Sequence, residues 1–222
     1  IKFKMIKMKN VKILLSLTAV VIFAMTACRK LPDNVSTVEK ASYPTITILG
    51  SQFYSIPVDG SLPAIAATAY DSTIMESYPV TLDASGIDVT TPGLYVVGIQ
   101  AKNKFGYIGS KNVAVAVTNI DASWNLSGEY RRTANNALVN LTKVANGLYE
   151  VDNVGGAPTF PVVGYFIQIN DSTIDFPMQP TDLAGQVDCV DEALTISGAD
   201  TSYGWKVVNP NFGPAFRTFV KQ

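Results

Sequence analysis

From Ser42 to Gln222 the apolar residues come in short runs, many of them alternating, and no stretch holds a helical period. Side chains that alternate apolar and polar suit a strand, whose successive residues face opposite sides. In residues 42–118 the runs are PTITIL, FYSIPV, AIAATAY, YPVTL, LYVVGIQA and NVAVAVT. Between them stand Gly50-Ser51, Asp59-Gly60, Asp71-Ser72, Ala84-Ser85-Gly86, Pro92-Gly93 and Asn103-Lys104-Phe105-Gly106. Gly supplies positive φ, while Asp, Asn and Ser bond their own backbone, so each break is a turn. Tyr95, Val97, Ile99 and Ala101 share one face of their run; Val113, Val115 and Val117 do the same, with Ala114 and Ala116 opposite. Strands at this spacing predict a β-sandwich over residues 42–119.

Residues 120–222 read as a second all-β domain. About eight runs fall in some 100 residues, and Asn146-Gly147 between NLTKVA and LYEVD is a strong hairpin signal. A second sandwich and a small closed barrel both fit this pattern. Most of the large aromatics lie here. Tyr203, Trp205 and Val207 share a strand face, as do Tyr165, Ile167 and Ile169; both look like core stripes, because a domain with no disulfide needs large buried side chains. Flat aromatic rings also suit the apolar face of a sugar. On that reading Phe212, in the turn NPNFG, is the best exposed candidate, with Trp205 and Tyr203 as further ligand-contact candidates.

Residues 1–27 have a different character. Lys2, Lys4, Lys7, Lys9 and Lys12 are followed by an uncharged run from Ile13 to Ala27, too short for a spanning helix. A basic segment, an apolar segment and small residues form a secretory leader. It ends in Met25-Thr26-Ala27-Cys28, which resembles the lipobox of bacterial lipoproteins. The resemblance implies cleavage before Cys28, lipid on its thiol, and membrane attachment by two or more acyl chains. Residues 28–41, the lipidated cysteine with a polar stretch, then read as a flexible tether. The leader holds five of the 17 Lys+Arg and none of the 18 Asp+Glu. The rest therefore carries 12 bases against 18 acids, a net charge of −6. No basic patch calls for nucleic acid. With Cys28 assigned to lipid, Cys189 has no intramolecular partner and reads as a buried small hydrophobe.

Two further resemblances concern whole domains. Thr90, Gly93, Tyr95, Val97, Ala101, Asn103 and Gly106 match the closing strands of bacterial immunoglobulin-like domains, which implies a spacer module. W-x-L-S-G-x-Y-R-R, then G-L-Y-x-V with G-G-x-P-T-F, then N-P-N-F-G-x-x-x-R-T-F-V-K, resemble the last domain of two-domain Bacteroidetes lipoproteins of unknown function. These resemble accessory lipoproteins of starch-utilisation-type glycan uptake systems. The resemblance implies an outer-membrane location, a glycan ligand and an outer-membrane transporter complex as partners. Arg29-Lys30-Leu31 leaves open whether the anchored protein faces the cell surface or the periplasm.

The chain has no histidine, which removes Ser-His-Asp and Cys-His catalysis and the usual zinc sites. It has no phosphate-binding glycine loop, and no cofactor is expected. A glycosidase needs only two facing carboxylates, for which Glu129, Glu150 and Glu192 are available, but a non-enzymatic role is the stronger reading. Asp182, Asp188, Asp191 and Glu192 read as a solvated acidic loop and not as a metal site. Asp-Ser-Thr-Ile occurs at Asp71 and Asp171. It resembles the O-glycosylation acceptor of exported Bacteroidetes proteins, with Ser72 and Ser172 as acceptors. Two functions follow: a glycan-binding envelope lipoprotein, or an assembly lipoprotein that contacts proteins of an outer-membrane complex.

Overall fold

The computed structural model describes residues 41–197 and 200–222, which form one compact unit of two lobes. The leader, Cys28 and nearly all of the tether lie outside the described residues. The chain is all-β, with no helix among the described residues.

The first lobe holds seven strands: β1 (Thr45–Ile48), β2 (Phe53–Ile56), β3 (Ala67–Asp71), β4 (Glu76–Tyr78), β5 (Val80–Asp83), β6 (Gly93–Lys102) and β7 (Ile108–Val117). They make two sheets, β1-β3-β4 and β2-β7-β6-β5, with β2 parallel to β7 and every other pair antiparallel. Ile46 and Ala69 of one sheet pack on Ile56, Val97, Ile99, Val113, Val115 and Val117 of the other. This is a sandwich, and the alternation read from β6 and β7 points the expected side chains inward.

A buried polar cluster pins the entry of the chain. Ser42 Oγ donates a short hydrogen bond to Asp71, which also accepts from Asn103 Nδ2 at 3.1 Å; the same amide donates to the Ser42 carbonyl at 2.9 Å. Asn103 Oδ1 accepts from the backbone N–H groups of Phe105 and Tyr107, shaping the β6–β7 turn. Pro44 then crosses Gly109 so closely that a Cβ there would meet the Pro44 carbonyl oxygen at 1.8 Å.

The second lobe holds β8 (Gly128–Arg132), β9 (Leu138–Ala145), β10 (Leu148–Val151), β11 (Gly164–Gln168), β12 (Ile174–Asp175), β13 (Gln179–Thr181), β14 (Gly185–Ser197), β15 (Asp200–Val208) and β16 (Phe216–Lys221). All nine lie in one antiparallel sheet, β12-β11-β10-β9-β8-β16-β15-β14-β13. The sheet curls until its ends meet. Residues 174–181 pair with β11 through β12 and with β14 through β13, and Cys189 N–H donates to the Phe176 carbonyl between them. The structure thus decides for a barrel-like curl over a second sandwich. Its interior is filled by Tyr130, Tyr149, Phe166, Phe176, Tyr203, Trp205 and Phe219, with aliphatic residues around them. Asn146-Gly147 makes the two-residue turn between β9 and β10, with Gly147 at φ +68°.

A third core joins the lobes. Ala116, Leu148 and Ile167 have no exposed surface, and Phe53, Leu94, Ala114, Val144, Ala145, Tyr165 and Ile169 pack around them. The stripe Tyr165-Ile167-Ile169 is thus a core stripe, but of this junction; Phe166 faces the barrel interior instead. Thr118 Oγ1 to the Gln168 carbonyl (3.1 Å) and Asn146 Nδ2 to the Ile120 carbonyl (2.8 Å) fasten its edge.

Two outcomes follow. Leu148→Ala is expected to cost about 2–5 kcal/mol, the range for a buried leucine, and to split a single calorimetric unfolding transition into two. One unchanged transition would show that the junction does not couple the lobes. Hydrogen bonds, that from Ser42 first, hold the Asp71 carboxyl below its ordinary range. Its contribution is therefore complete above the unfolded aspartate value, ~4, and is lost as pH falls through the lower folded value. Urea midpoints from pH 6 to 2.5 should fall less steeply at the acid end for Asp71→Asn than for the parent.

Candidate functional site

The outer face of the first lobe's larger sheet meets the β11 and β13 side of the second lobe in an open groove of about 230 Å³. Phe53 of β2, Leu94 and Val96 of β6 and Ala114 of β7 line one wall; Tyr165, Gln179 and Pro180 line the other. Where the lobes touch, β7 offers the small Ala114 and Ala116 on this face, so the second lobe approaches closely, and larger side chains stand at the rim. The rings of Phe53 and Tyr165 lie 5.1 Å apart at 39°, both half-buried. Val96 is 53% exposed beside them.

Tyr165 is held from three sides. Its hydroxyl donates to Glu150 Oε2 at 2.9 Å. Its backbone N–H donates to Gln179 Oε1 (2.8 Å) and its carbonyl accepts from Gln179 Nε2 (2.7 Å). The Gln179 amide thus pairs with the Tyr165 backbone of β11 where β12 does not reach. Burial first, then the Glu150 carboxylate, push the Tyr165 hydroxyl up to about 12, so the ring stays neutral. The side-chain amides of Gln52 and Asn112 stand in the same groove and are exposed; among the described residues they make no hydrogen bond. A second hollow adjoins the first beyond Tyr165 and Pro180, lined by Pro161, Val163, Thr181, Asp182 and Leu183. The two hollows together offer an aromatic pair, an apolar rim and unengaged amides, a combination that can bind a ligand.

The aromatics singled out from the sequence lie elsewhere. Tyr203 is 2% exposed and Trp205 has no exposed surface; both face the barrel core, where Trp205 Nε1 donates to the Val154 carbonyl at 2.9 Å. This corrects their place among ligand-contact candidates, since neither ring reaches solvent. Phe212 is half-buried, 5.7 Å from Phe160 and against Arg217, so it packs over the barrel and does not stand free in its turn. Phe53 and Tyr165 were missed because the sequence shows a strand residue and a core stripe; no local pattern says that two such strands meet across a groove.

Ser72 and Ser172 are both exposed at turns. Asp71 is buried in the network above, whereas Asp171 is exposed, so the two Asp-Ser-Thr-Ile copies do different structural work. The acidic residues do not form one loop: Asp182 sits in the β13–β14 turn, and Asp188, Asp191 and Glu192 lie along β14, where Asp191 pairs with Lys206 at 2.6 Å. No cluster with metal-ligand potential occurs among the described residues. Asp175 and Glu192 are raised above the usual carboxylate range, chiefly by burial. Glu129 and Glu150 sit on β8 and β10, and Glu150 is engaged by Tyr165. Cys189 is 3% exposed in the barrel core, and burial keeps its thiol protonated and inert.

No family model matches the chain, and no curated protein does. Among solved structures it is similar to a lipoprotein of Bacteroides thetaiotaomicron: 22% sequence identity, 81% of this chain and 100% of that chain covered, TM-score 0.38. At that score the likeness decides neither fold nor task.

Proposed function

We propose that this is a lipid-anchored envelope protein of the Bacteroidetes type, attached to the outer membrane through Cys28, that binds a polysaccharide or oligosaccharide without catalysis. The leader and its Met25-Thr26-Ala27-Cys28 ending support the anchor. The half-exposed Phe53–Tyr165 pair beside the free amides of Gln52 and Asn112 carries the binding reading. Aromatic faces take the apolar face of a sugar ring, and amides take its hydroxyls. The first lobe reads as an immunoglobulin-like spacer: two packed sheets, with Tyr95 Oη donating to the Thr91 carbonyl at 2.9 Å at the start of β6. Because it is fused to the barrel by a shared core, it supplies one wall of the groove as well as distance from the membrane.

A second reading rests on Val96, Val163 and Leu183, all exposed around the same groove. Apolar rims of this kind suit a protein partner, here an outer-membrane transporter complex.

Mass spectrometry of the protein from its own cells tests the export reading: acyl chains on an N-terminal Cys28, and hexose additions on peptides carrying Ser72 or Ser172. An unprocessed leader would end the anchor proposal, and bare serines the glycosylation proposal. Affinity electrophoresis and calorimetry against plant, host and microbial polysaccharides test the groove. One class should bind, and Phe53→Ala or Tyr165→Ala should weaken it about tenfold, ~1.4 kcal/mol. Binding that survives both changes would place the site elsewhere; no binding, with capture of a transporter by cross-linking, would favour the protein partner.

A further inference from the structure

The sheet alternates direction, so every second connection of the barrel falls at one end. Residues 133–137, 152–163, 182–184 and 209–215 converge there. They are tied together over the opening. Asn135 Nδ2 donates to the Gly156 carbonyl at 2.9 Å, Asn209 Nδ2 to the carbonyls of Ala184 and Gln186 at 2.8 Å each, and Phe160 lies on Phe212.

Two arginines point inward beneath this cover. Arg132 shares the inward face of β8 with Tyr130 and pairs across with Phe219; Arg217 shares the inward face of β16 with Phe219 and pairs with Trp205. Arg132 is half-buried and Arg217 is 5% exposed. Its Nη1 and Nη2 donate to the carbonyls of Ala215 (2.8 Å) and Gly213 (3.0 Å), and Arg132 Nη1 donates to the Gly156 carbonyl (3.3 Å). The buried Nε of each has no acceptor. Among the described residues no carboxylate lies within ion-pair distance of either, and the ion pairs found are elsewhere, at Lys104–Glu76 and Lys206–Asp191. The loop backbone lies close on Arg132 and on the cover: a Cβ on Gly156 would meet Arg132 Cδ at 2.6 Å, and one on Gly155 the Phe212 ring at 2.2 Å.

This arrangement is costly as it stands. Arg217 is a buried cation with no carboxylate partner among the described residues; two carbonyls and the face of the Phe212 ring, 5.5 Å away, return only part of the lost solvation. The second guanidinium adds repulsion; burial and the charge of Arg132 together draw Arg217 below the usual arginine range. A pair needed only for packing would be served by neutral side chains. Guanidinium forks instead match the paired oxygens of a carboxylate, sulfate or phosphate.

We propose that Arg132 and Arg217 form an anion-binding site at the loop-covered end of the barrel, which takes an oxyanionic group under the Phe160–Phe212 cover. The site is separate from the interlobe groove and does not depend on the groove binding glycan. Two sources share this chemistry: the carboxylate of an acidic sugar, and a sulfate or phosphate.

The test uses the full chain in detergent. Its thermal midpoint and tryptophan fluorescence are followed against galacturonate, sulfate, phosphate and neutral galactose, each with sodium chloride matched for ionic strength. A saturable rise on the order of 5 °C with an oxyanion is expected, with a fluorescence change from Trp205 beside Arg217. Neither galactose nor chloride should produce it, and Arg132→Gln should abolish it. A response to galacturonate alone assigns a sugar carboxylate; a response to sulfate or phosphate assigns those groups. Oxyanions that act no more than chloride, or act equally on Arg132→Gln, overturn the proposal. If that variant fails to fold, phenylglyoxal labelling of the unaltered chain decides. The effective anion should slow modification of the Arg132 and Arg217 peptides at least fivefold, and unslowed labelling overturns the site.

Discussion

The C-terminal half of strand β7, from Val113 to Val117, is covered on both faces, and the rest of the molecule hangs on that. Val113, Val115 and Val117 fill the sandwich of the first lobe, while Ala114 and Ala116 lie under the second. The small side chains on the outer face matter as much as the large ones on the inner. Larger residues there would hold the barrel away, remove the contact of Leu148 and Ile167 with the sheet, and leave two lobes joined by a linker. Packing at the density of a protein interior makes such a junction stiff, so the walls of the groove are set relative to each other.

The second lobe solves a different problem. A nine-stranded sheet has two edges, and each would expose unpaired backbone groups. Here residues 174–181 serve both edges, and the Gln179 amide covers the length that no strand reaches. The curl that this closure requires encloses a volume filled by seven aromatic rings, many within 6 Å of one another. A core of this kind supplies stability without a disulfide among the described residues, and Cys189 is one more apolar filler of it.

Polar groups divide by whether the fold satisfies them. Asp71, Ser42 and Asn103 satisfy each other and fix the entry of the chain. Gln179 and Glu150 satisfy Tyr165 and fix its ring at the groove. Arg217, buried, and Arg132, half-buried beside it, are like-charged, have no carboxylate partner among the described residues, and each leaves its Nε without an acceptor. Sites that break the rules of burial while the surrounding fold keeps them are where function concentrates.

The sequence by itself determined the class of fold and most of the strands, because alternation and turn residues act over two to five neighbours. It determined the buried stripes of β6 and β7, the Asn146-Gly147 hairpin and the apolar character of Cys189 for the same reason. It also carries the basic and apolar segment ending in Met25-Thr26-Ala27-Cys28, on which the anchor proposal rests independently of any fold. Tertiary structure alone decided that the second sheet curls, since closure depends on residues 174–181 reaching strands on either side. It decided that Tyr203 and Trp205 are core, and that Tyr165 and Phe53 meet at a groove. Side-chain alternation tells which residues share a face, but not what that face will meet. That depends on contacts between residues tens of positions apart, which no local pattern encodes.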